Sequence, residues 1–202
     1  MGSIIVIVLS YMLGSLLFSV IVSKMVKGVD IRKHGSGNAG ATNTLRVLGL
    51  GPAILVFVLD TLKGLAAVLA APLVAPEVDW LPVAAGLAAI FGHNWPLWFR
   101  FRGGKGIATT IGVVIGIAFL PGLIAGVIAI GSIVFSRYVS LGSLIFTTLF
   151  PICVVLLDYP LATLIGSLVI MVFAWYRHRT NVVKLWRGQE NKLGSKSKAN
   201  NV

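Results

Sequence analysis

The chain of 202 residues is 57% hydrophobic and only 11% charged, whereas soluble domains are about 25% charged. This composition excludes an ordinary soluble domain and predicts an integral membrane protein. The 17 Lys and Arg residues outnumber the 6 Asp and Glu residues, giving a formal net charge of +11 and favouring anionic partners such as lipid headgroups and phosphates. The basic residues lie in short loops between apolar runs instead of along one polar stripe, which argues against nucleic acid.

A helix needs about 20 apolar residues to cross a hydrocarbon core about 30 Å thick. About seven hydrophobic segments are predicted, at 3–23, 51–72, 80–99, 107–120, 123–135, 138–157 and 161–176. Two of them, 107–120 and 123–135, are short, are separated by Pro121-Gly122, and form either two spans or a re-entrant hairpin. We therefore expect an all-α integral membrane protein with one transmembrane domain over 1–192. The basic polar tail at 193–202 is either disordered or foreign to the native chain.

The charges of the loops predict the orientation of this domain. If the chain turns at Pro121-Gly122, every basic loop residue falls on one side of the membrane, and only Glu77, Asp79 and Asp158 face the other side. The positive-inside rule then places the N-terminus outside and the C-terminus in the cytoplasm. We expect a multi-pass protein of the bacterial plasma membrane, with its polar segments and its active site at the cytoplasmic face.

The first polar segment, 34–43, contains no large apolar side chain and leads into a short amphipathic helix. Glycines allow the backbone to approach a ligand closely, and N–H groups at a helix start can bind an anion. We interpret the segment as a phosphate-binding turn, although a flexible linker, or Ser and Asn residues that only cap the helix, would give a similar pattern. The predicted phosphate-binding residues are Ser36, Gly37, Asn38, Gly40, Thr42, Asn43 and Arg46.

The second polar segment, 92–106, ends in three glycines that flank Lys105 just before the next apolar helix. Backbone N–H groups, a helix N-terminus and an ammonium converge there as in a P-loop, but the P-loop spacing is absent. Arg100 and Arg102 could instead extend toward lipid headgroups, and His93 could form a buried pair with Asn94. The residues predicted here to bind phosphate are His93, Arg102, Gly103, Gly104, Lys105 and Gly106.

Five further polar residues are candidates for the site or for its support. Asp60 and Lys63 lie three residues apart in a span, where they form a structural ion pair or Lys63 reaches the anion site. In the third polar segment, His178 and Asn181 share one helix face and could orient or deprotonate a hydroxyl, although a headgroup contact is the simpler role. Glu190 is the one acid of the C-terminal segment and is assigned a structural pairing role.

The residues that are missing also restrict the chemistry. The predicted cytoplasmic side has few acids, so neither a carboxylate metal site nor the aspartate cluster of a CDP-alcohol phosphotransferase is expected. No His is followed by Asp at the H-x4-D spacing, and no nucleophile elbow is present. Cations, glycines and N–H groups suit a reaction whose leaving group is already good, because the protein then only binds anions and positions the reactants. No metal or cofactor is expected.

Together the polar segments resemble the acyl-phosphate-dependent glycerol-3-phosphate acyltransferase family of bacterial membranes. The resemblance is carried by 36–43, 60–64, 92–96 with 101–106, and 178–181 with 188–192. It covers essentially the whole chain, and the one departure is Arg102 where the family pattern has lysine.

The resemblance implies transfer of a fatty acyl group from acyl phosphate to the sn-1 hydroxyl of glycerol 3-phosphate. The products would be lysophosphatidic acid and inorganic phosphate, as in phospholipid biosynthesis. Ser36 would donate to one phosphate, the loop with Lys105 and Lys63 would hold the other, and His178 and Asn181 would orient the attacking hydroxyl. The proton of the attacking hydroxyl would go to His178 or to the departing phosphate. The sequence does not show which glycine turn binds the phosphate of which substrate. The expected partners are the two substrates and membrane lipids, with a monomer as the simplest assembly.

An anion transporter or channel is the alternative class. The break near Pro121 and the basic cytoplasmic loops motivate it. No inverted repeat is visible, and the cations lie on one face only.

Overall fold

The computed structural model describes residues 1–194, which form helices joined by turns and contain no strand. The all-α prediction is therefore confirmed for this part of the chain, whereas most of the predicted tail, 195–202, lies outside the described residues. The helices are α1 (Gly2–Gly14), α2 (Phe18–Lys27), α3 (Ala41–Leu48), α4 (Leu50–Val74), α5 (Leu81–Asn94), α6 (Ile107–Ile117), α7 (Phe119–Ser136), α8 (Val139–Leu156), α9 (Leu161–Arg177) and α10 (Arg179–Trp186).

Several of these helices have the length and composition of membrane spans. Four stretches of 1–194 are long and apolar enough: α1 with α2, then α4, α7 and α8. A fifth is added if α9 and α10, which meet at a bend of 61°, count as one broken span. The helices α5 and α6 are also apolar but have only 14 and 11 residues. The multi-pass prediction is thus supported, while the number of segments and their orientation stay predictions.

The break between the two short segments is not where the sequence suggested. We expected a turn at Pro121-Gly122, but α6 ends at Ile117 and α7 begins at Phe119. Pro121 therefore lies in the first turn of α7, where the missing N–H has no intrahelical partner to lose. A Cβ on Gly122 would collide with the side chain of Val114, so this glycine permits close packing of α6 against α7.

Small residues bring the helices close together around the polar segments. In the contact of α4 with α6, a Cβ on Gly64 would collide with the Thr109 carbonyl oxygen. In the contact of α1 with α5, a Cβ on Gly14 would collide with the Ala89 carbonyl oxygen. Small residues commonly allow such close approach in membrane helix pairs. The two contacts fix the ends of α5 and α6, and hence the loop 95–106 between them.

Candidate active site

The first glycine turn is shaped by Asn43, which is buried in the first turn of α3. Its Oδ1 accepts a hydrogen bond from the Ser36 amide at 2.8 Å. Its Nδ2 donates to the carbonyls of Ile31 and His34 at 3.1 and 3.0 Å. Gly35 has a φ of +59° and has no room for a Cβ beside Asn43. The Asn43 side chain is thus fully engaged in holding the turn. The Ser36 hydroxyl accepts from the Asn38 amide at 3.5 Å and can donate its own proton to a ligand.

The second glycine turn packs directly on the first. The Gly104 amide donates to the His93 carbonyl at 3.2 Å, and a Cβ on Gly104 would collide with His93 Nε2 and with the Ala39 carbonyl. Arg177 holds the same turn from α9: its Nη2 donates to the carbonyls of Gly103 at 3.2 Å and Gly104 at 2.6 Å. Two of the polar segments therefore meet at Gly104, and Arg177 joins the third to them.

Lys105 connects the second polar segment to the third. Its Nζ donates to Asn181 Oδ1, and Asn181 Nδ2 donates in turn to Glu190 Oε1 at 2.8 Å. Burial lowers the pKa of Lys105 to about 8 because desolvation penalises the ammonium. Glu190 opposes this shift, and the neighbouring cations, Arg177 foremost, add to it. Lys105 thus keeps its charge at neutral pH.

His178 lies at the bend between α9 and α10 and is buried. Its Nδ1 is 2.8 Å from the Ala174 carbonyl oxygen, and because a carbonyl only accepts, Nδ1 carries the proton. Burial above all, with Lys105 and Arg177 nearby, lowers the pKa of His178 to about 4. The imidazole is therefore neutral at physiological pH, and its Nε2 is an acceptor.

Lys63 is used within the protein. Its Nζ lies 2.6 Å from Asp60 Oδ1, 2.6 Å from the Leu16 carbonyl oxygen and 3.0 Å from His93 Nδ1. The ammonium thus forms an ion pair with the carboxylate and has hydrogen-bond partners in the carbonyl and the imidazole, so its charge is balanced inside the protein. The structure thus contains the ion pair that was one of the two interpretations of Asp60 and Lys63. The Leu16 carbonyl is exposed by the break between α1 and α2, so Lys63 also completes that broken helix.

One cavity of about 790 Å³ joins the polar segments. Its polar end is lined by fifteen of the predicted residues, and its other end is formed by apolar side chains of α6, α7 and α8. The predicted residues on its wall are Ser36, Gly37, Asn38, Gly40, Thr42, Asn43, Arg46, Asp60, His93, Gly103, Lys105, Gly106, His178, Asn181 and Glu190. Three predicted residues are not on this wall: Lys63, Gly104 and Arg102. Lys63 and Gly104 lie behind it, and Arg102 borders a different cavity.

The wall also contains cations that were not assigned to the site from the sequence. Arg177 and Lys184 both line the cavity, together with Arg46 and Lys105. Of the two acids on the wall, Asp60 is neutralised by Lys63, so the polar end is electropositive and suits phosphate. The sequence did not indicate that Arg177 and Asn181 line the same cavity. The chain bends between α9 and α10, so their four-residue spacing is not that of one continuous helix. Within 1–194, no three His, Cys, Asp or Glu side chains come together as a metal site would need.

A family model described as glycerol-3-phosphate acyltransferase matches residues 4–188. The chain belongs to this family. A glycerol-3-phosphate acyltransferase of Halalkalibacterium halodurans is 55% identical over 192 residues, which are 93% of each chain. One from Shouchella clausii is 55% identical over 191 residues, covering 92% of this chain and 93% of that one. The family resemblance stated from the sequence is thereby confirmed.

Solved structures of this acyltransferase family have the same fold. A crystal structure of PlsY (YgiH), an integral membrane glycerol 3-phosphate acyltransferase in its glycerol 3-phosphate form, superposes with a TM-score of 0.91 at 37% identity, covering 96% of this chain and 97% of that one. The form named for lysophosphatidic acid gives 0.89 at 36% identity, covering 98% of each chain. The chain is therefore an acyltransferase of the membrane, and the family assignment decides against the transporter alternative.

Proposed function

We propose that the protein transfers a fatty acyl group from acyl phosphate to the sn-1 hydroxyl of glycerol 3-phosphate. Lysophosphatidic acid and inorganic phosphate are the products. The observation that carries the proposal is that one cavity has both a cationic end, between the two glycine turns, and an apolar end, between α6, α7 and α8. Such a cavity matches two phosphates that meet beside one long acyl chain. The family relatives named for glycerol 3-phosphate support the acceptor.

In this proposal each glycine turn holds one phosphate. Ser36, Thr42 and Arg46 bind the first, with the guanidinium of Arg46 suited to two phosphate oxygens at once. Lys105 and the amides beside it bind the second. Asn43 and Arg177 hold the two turns in place, and the Asp60, Lys63 and His93 cluster supports both from behind. Ser36 is a hydrogen-bond donor in this scheme and forms no covalent acyl intermediate.

The acceptor oxygen attacks the acyl carbonyl carbon directly, and the bond from that carbon to the phosphate oxygen breaks. The phosphate leaves with the electron pair, stabilised by the cations already around it. It also takes the hydroxyl proton, because the phosphate oxygen that gains the electron pair becomes basic as the bond breaks, whereas the lowered pKa of His178, about 4, makes that imidazole a weak base. Before the attack, neutral His178 orients the hydroxyl by accepting its hydrogen bond at Nε2, and the proton passes from the hydroxyl to the phosphate oxygen as the bond between carbon and that oxygen breaks. Asn181 donates to Glu190 and accepts from Lys105, so it fixes the position of the Lys105 ammonium.

The acyl chain would lie in the apolar end of the cavity. Phe119, Ile130 and Phe146 are among the side chains that line it, one or more from each of α7 and α8. Burial of the acyl chain there would favour donor binding by about 25 cal/mol for each Å² of apolar surface removed from water. No metal or cofactor takes part in the proposed reaction.

The proposed topology has about seven segments in one domain over 1–192, with the N-terminus outside and the active site at the cytoplasmic face. It is supported by the charges, since the loops at the active-site end carry most cations and the opposite loops carry Glu77, Asp79 and Asp158. Impermeant maleimide on intact cells tests it in a Cys153→Ala background. The variant Lys33→Cys should be protected from the maleimide and the variant Glu77→Cys should be labelled, whereas the reverse result would invert the topology.

The reaction is tested by phosphate release from purified protein with palmitoyl phosphate, with and without glycerol 3-phosphate, and in parallel with palmitoyl-CoA. Release that depends on glycerol 3-phosphate, with an inert CoA ester, is the expected result. Product analysis should then give the 1-acyl isomer. Turnover of the CoA ester at a similar rate would overturn acyl phosphate as the donor, and a trapped acyl-Ser36 adduct would overturn direct attack.

A further inference from the structure

A second cavity of about 560 Å³ adjoins the first along Gly37 and Gly103, which line both cavities. The proposed acyl transfer uses none of its other side chains. Arg102, which the sequence pattern assigned to substrate phosphate, borders this second cavity and not the first. The charge of Arg102 therefore needs an explanation other than binding of a substrate phosphate.

The second cavity is strongly cationic. Five basic residues line it, against one carboxylate: Lys24, Arg32, Lys33, Arg100 and Arg102 against Asp30. That carboxylate is already neutralised, because Arg32 Nη2 lies 2.7 Å from Asp30 Oδ2 and Arg32 Nε donates to Oδ1 at 3.0 Å. Within 1–194, the side chains of Lys33, Arg100 and Arg102 have no hydrogen bond or ion pair of their own. Their charge is available to an anion.

The wall that carries these cations is braced. Arg32 Nη1 donates to the carbonyls of Phe99 at 3.1 Å and Arg102 at 3.2 Å, and its guanidinium lies over the Phe99 ring. Arg100 and Phe101 both adopt left-handed backbone conformations, with φ of 56° and 57°. Such conformations are strained in non-glycine residues and persist where the surroundings enforce them, often at ligand sites. The two free arginines thus extend from a fixed turn.

Apolar side chains next to the cations decide the kind of anion. Leu97, Trp98 and Phe101 are all exposed beside the arginines, and Trp98 also lines the cavity. Aromatic residues at this position are typical of the headgroup level of a bilayer. A free phosphate would use only the cations, whereas a lipid would use the cations and the apolar side chains together.

We propose that the second cavity binds the headgroup phosphate of an anionic membrane lipid, whose acyl chains lie along Leu97, Trp98 and Phe101. The site is distinct from the two substrate phosphates and does not depend on the proposed reaction. Since Gly37 and Gly103 are shared, a bound lipid would support both glycine turns from outside the active site.

Native mass spectrometry of the detergent-solubilised protein tests the proposal, with phosphatidylglycerol, phosphatidylcholine of the same chains, or inorganic phosphate as the probe. The first molecule of phosphatidylglycerol to bind should do so more tightly than the first molecule of phosphatidylcholine. The double variant Arg100→Gln/Arg102→Gln should weaken its binding by about tenfold or more, because each cation near a headgroup contributes on the order of 1 kcal/mol. The matched variant Arg179→Gln/Arg187→Gln removes two exposed cations elsewhere and should bind the lipid normally.

A second double variant keeps the proposal testable if the arginine variant misfolds. Lys24→Gln/Lys33→Gln removes two other cations that line the cavity and should also weaken phosphatidylglycerol binding. Equal affinity for both lipids would overturn the proposal, as would equal losses in the cavity variants and in the Arg179 and Arg187 control. Inorganic phosphate that displaces the lipid stoichiometrically at micromolar concentration would identify a free-phosphate site instead.

Discussion

Gly104 lies directly against the imidazole of His93, with its amide bound to the His93 carbonyl and no space for a methyl group between them. This contact is where the second glycine turn meets the buried cluster of Asp60, Lys63 and His93. The position of Lys105, one residue further on, is therefore set from inside the helix bundle.

The Gly104→Ala variant should lose most of its activity. The added Cβ would collide with His93 Nε2 and the Ala39 carbonyl, so the turn must move, and shifts of about 1 Å in an active site can cost on the order of 100-fold in rate. Steady-state kinetics on protein with a normal circular dichroism spectrum measures this. Gly131→Ala is the matched control, because a Cβ there meets nothing within 4 Å, and a similar loss in Gly131→Ala would contradict the contact argument.

Lys105→Ala should lower kcat/KM by roughly 100- to 1,000-fold, the usual effect of removing a group that stabilises developing charge. The fold should persist, because Lys105 lies on the cavity wall and donates its hydrogen bond there to Asn181. Arg187→Ala removes an exposed cation outside the cavity and should leave the rate unchanged. Near-normal turnover in a well-folded Lys105→Ala protein would remove this lysine from the site.

The pH profile of kcat/KM should fall above about pH 8. The pKa of Lys105 is lowered to about 8, so the side chain is charged below that pH and loses its proton, and its attraction for phosphate, above it. Lys105→Arg should move the decline to higher pH, because a guanidinium keeps its proton beyond pH 12. Lys184→Arg, also at the cavity, should keep the decline near pH 8. A decline that stays in place in Lys105→Arg assigns it to another group.

Asp60→Asn should destabilise the protein strongly. The change leaves the ammonium of Lys63 buried without its counter-ion, which costs roughly 3–5 kcal/mol when one partner of a buried pair is removed. Adding Lys63→Met removes the stranded charge, so the double variant should recover part of the loss. Thermal inactivation in detergent compares the three proteins, and an additive double variant would show that the two residues are not coupled.

Gly126→Leu should shorten the acyl chain that the protein prefers. Gly126 lines the apolar end of the cavity and a Cβ there meets nothing within 4 Å, so a larger side chain would occupy space proposed for the donor. KM should rise more for palmitoyl phosphate than for a donor of eight carbons. Gly131→Leu, also with open space but away from the cavity, is the control, and an equal effect on both donors would place the chain elsewhere.

Local composition was enough to predict an all-α membrane protein and its three polar segments, because apolar runs and glycine clusters with cations are contiguous in the sequence. The ion pair of Lys63 with Asp60 was one of the sequence interpretations, but two long-range contacts could not be predicted. Arg177 donates to the Gly104 carbonyl across 73 residues, and Lys63 donates to the Leu16 carbonyl across 47. Arg102 was assigned to substrate because it adjoins Lys105, yet the turn at Arg100 and Phe101 directs the segment to a separate cavity. Proline at 121 was misleading, because a helix start tolerates the residue that breaks a helix interior.

The hydrogen bond from Lys63 to the Leu16 carbonyl has a consequence for biogenesis. The first span, interrupted between α1 and α2, presents a backbone acceptor that hydrocarbon cannot satisfy, and its donor is synthesised 47 residues later. We therefore expect the amino-terminal segment to reach its final, interrupted form only after α4 has entered the bilayer beside it. Insertion of these two segments should then be cooperative, because the second one supplies the donor that the first one lacks.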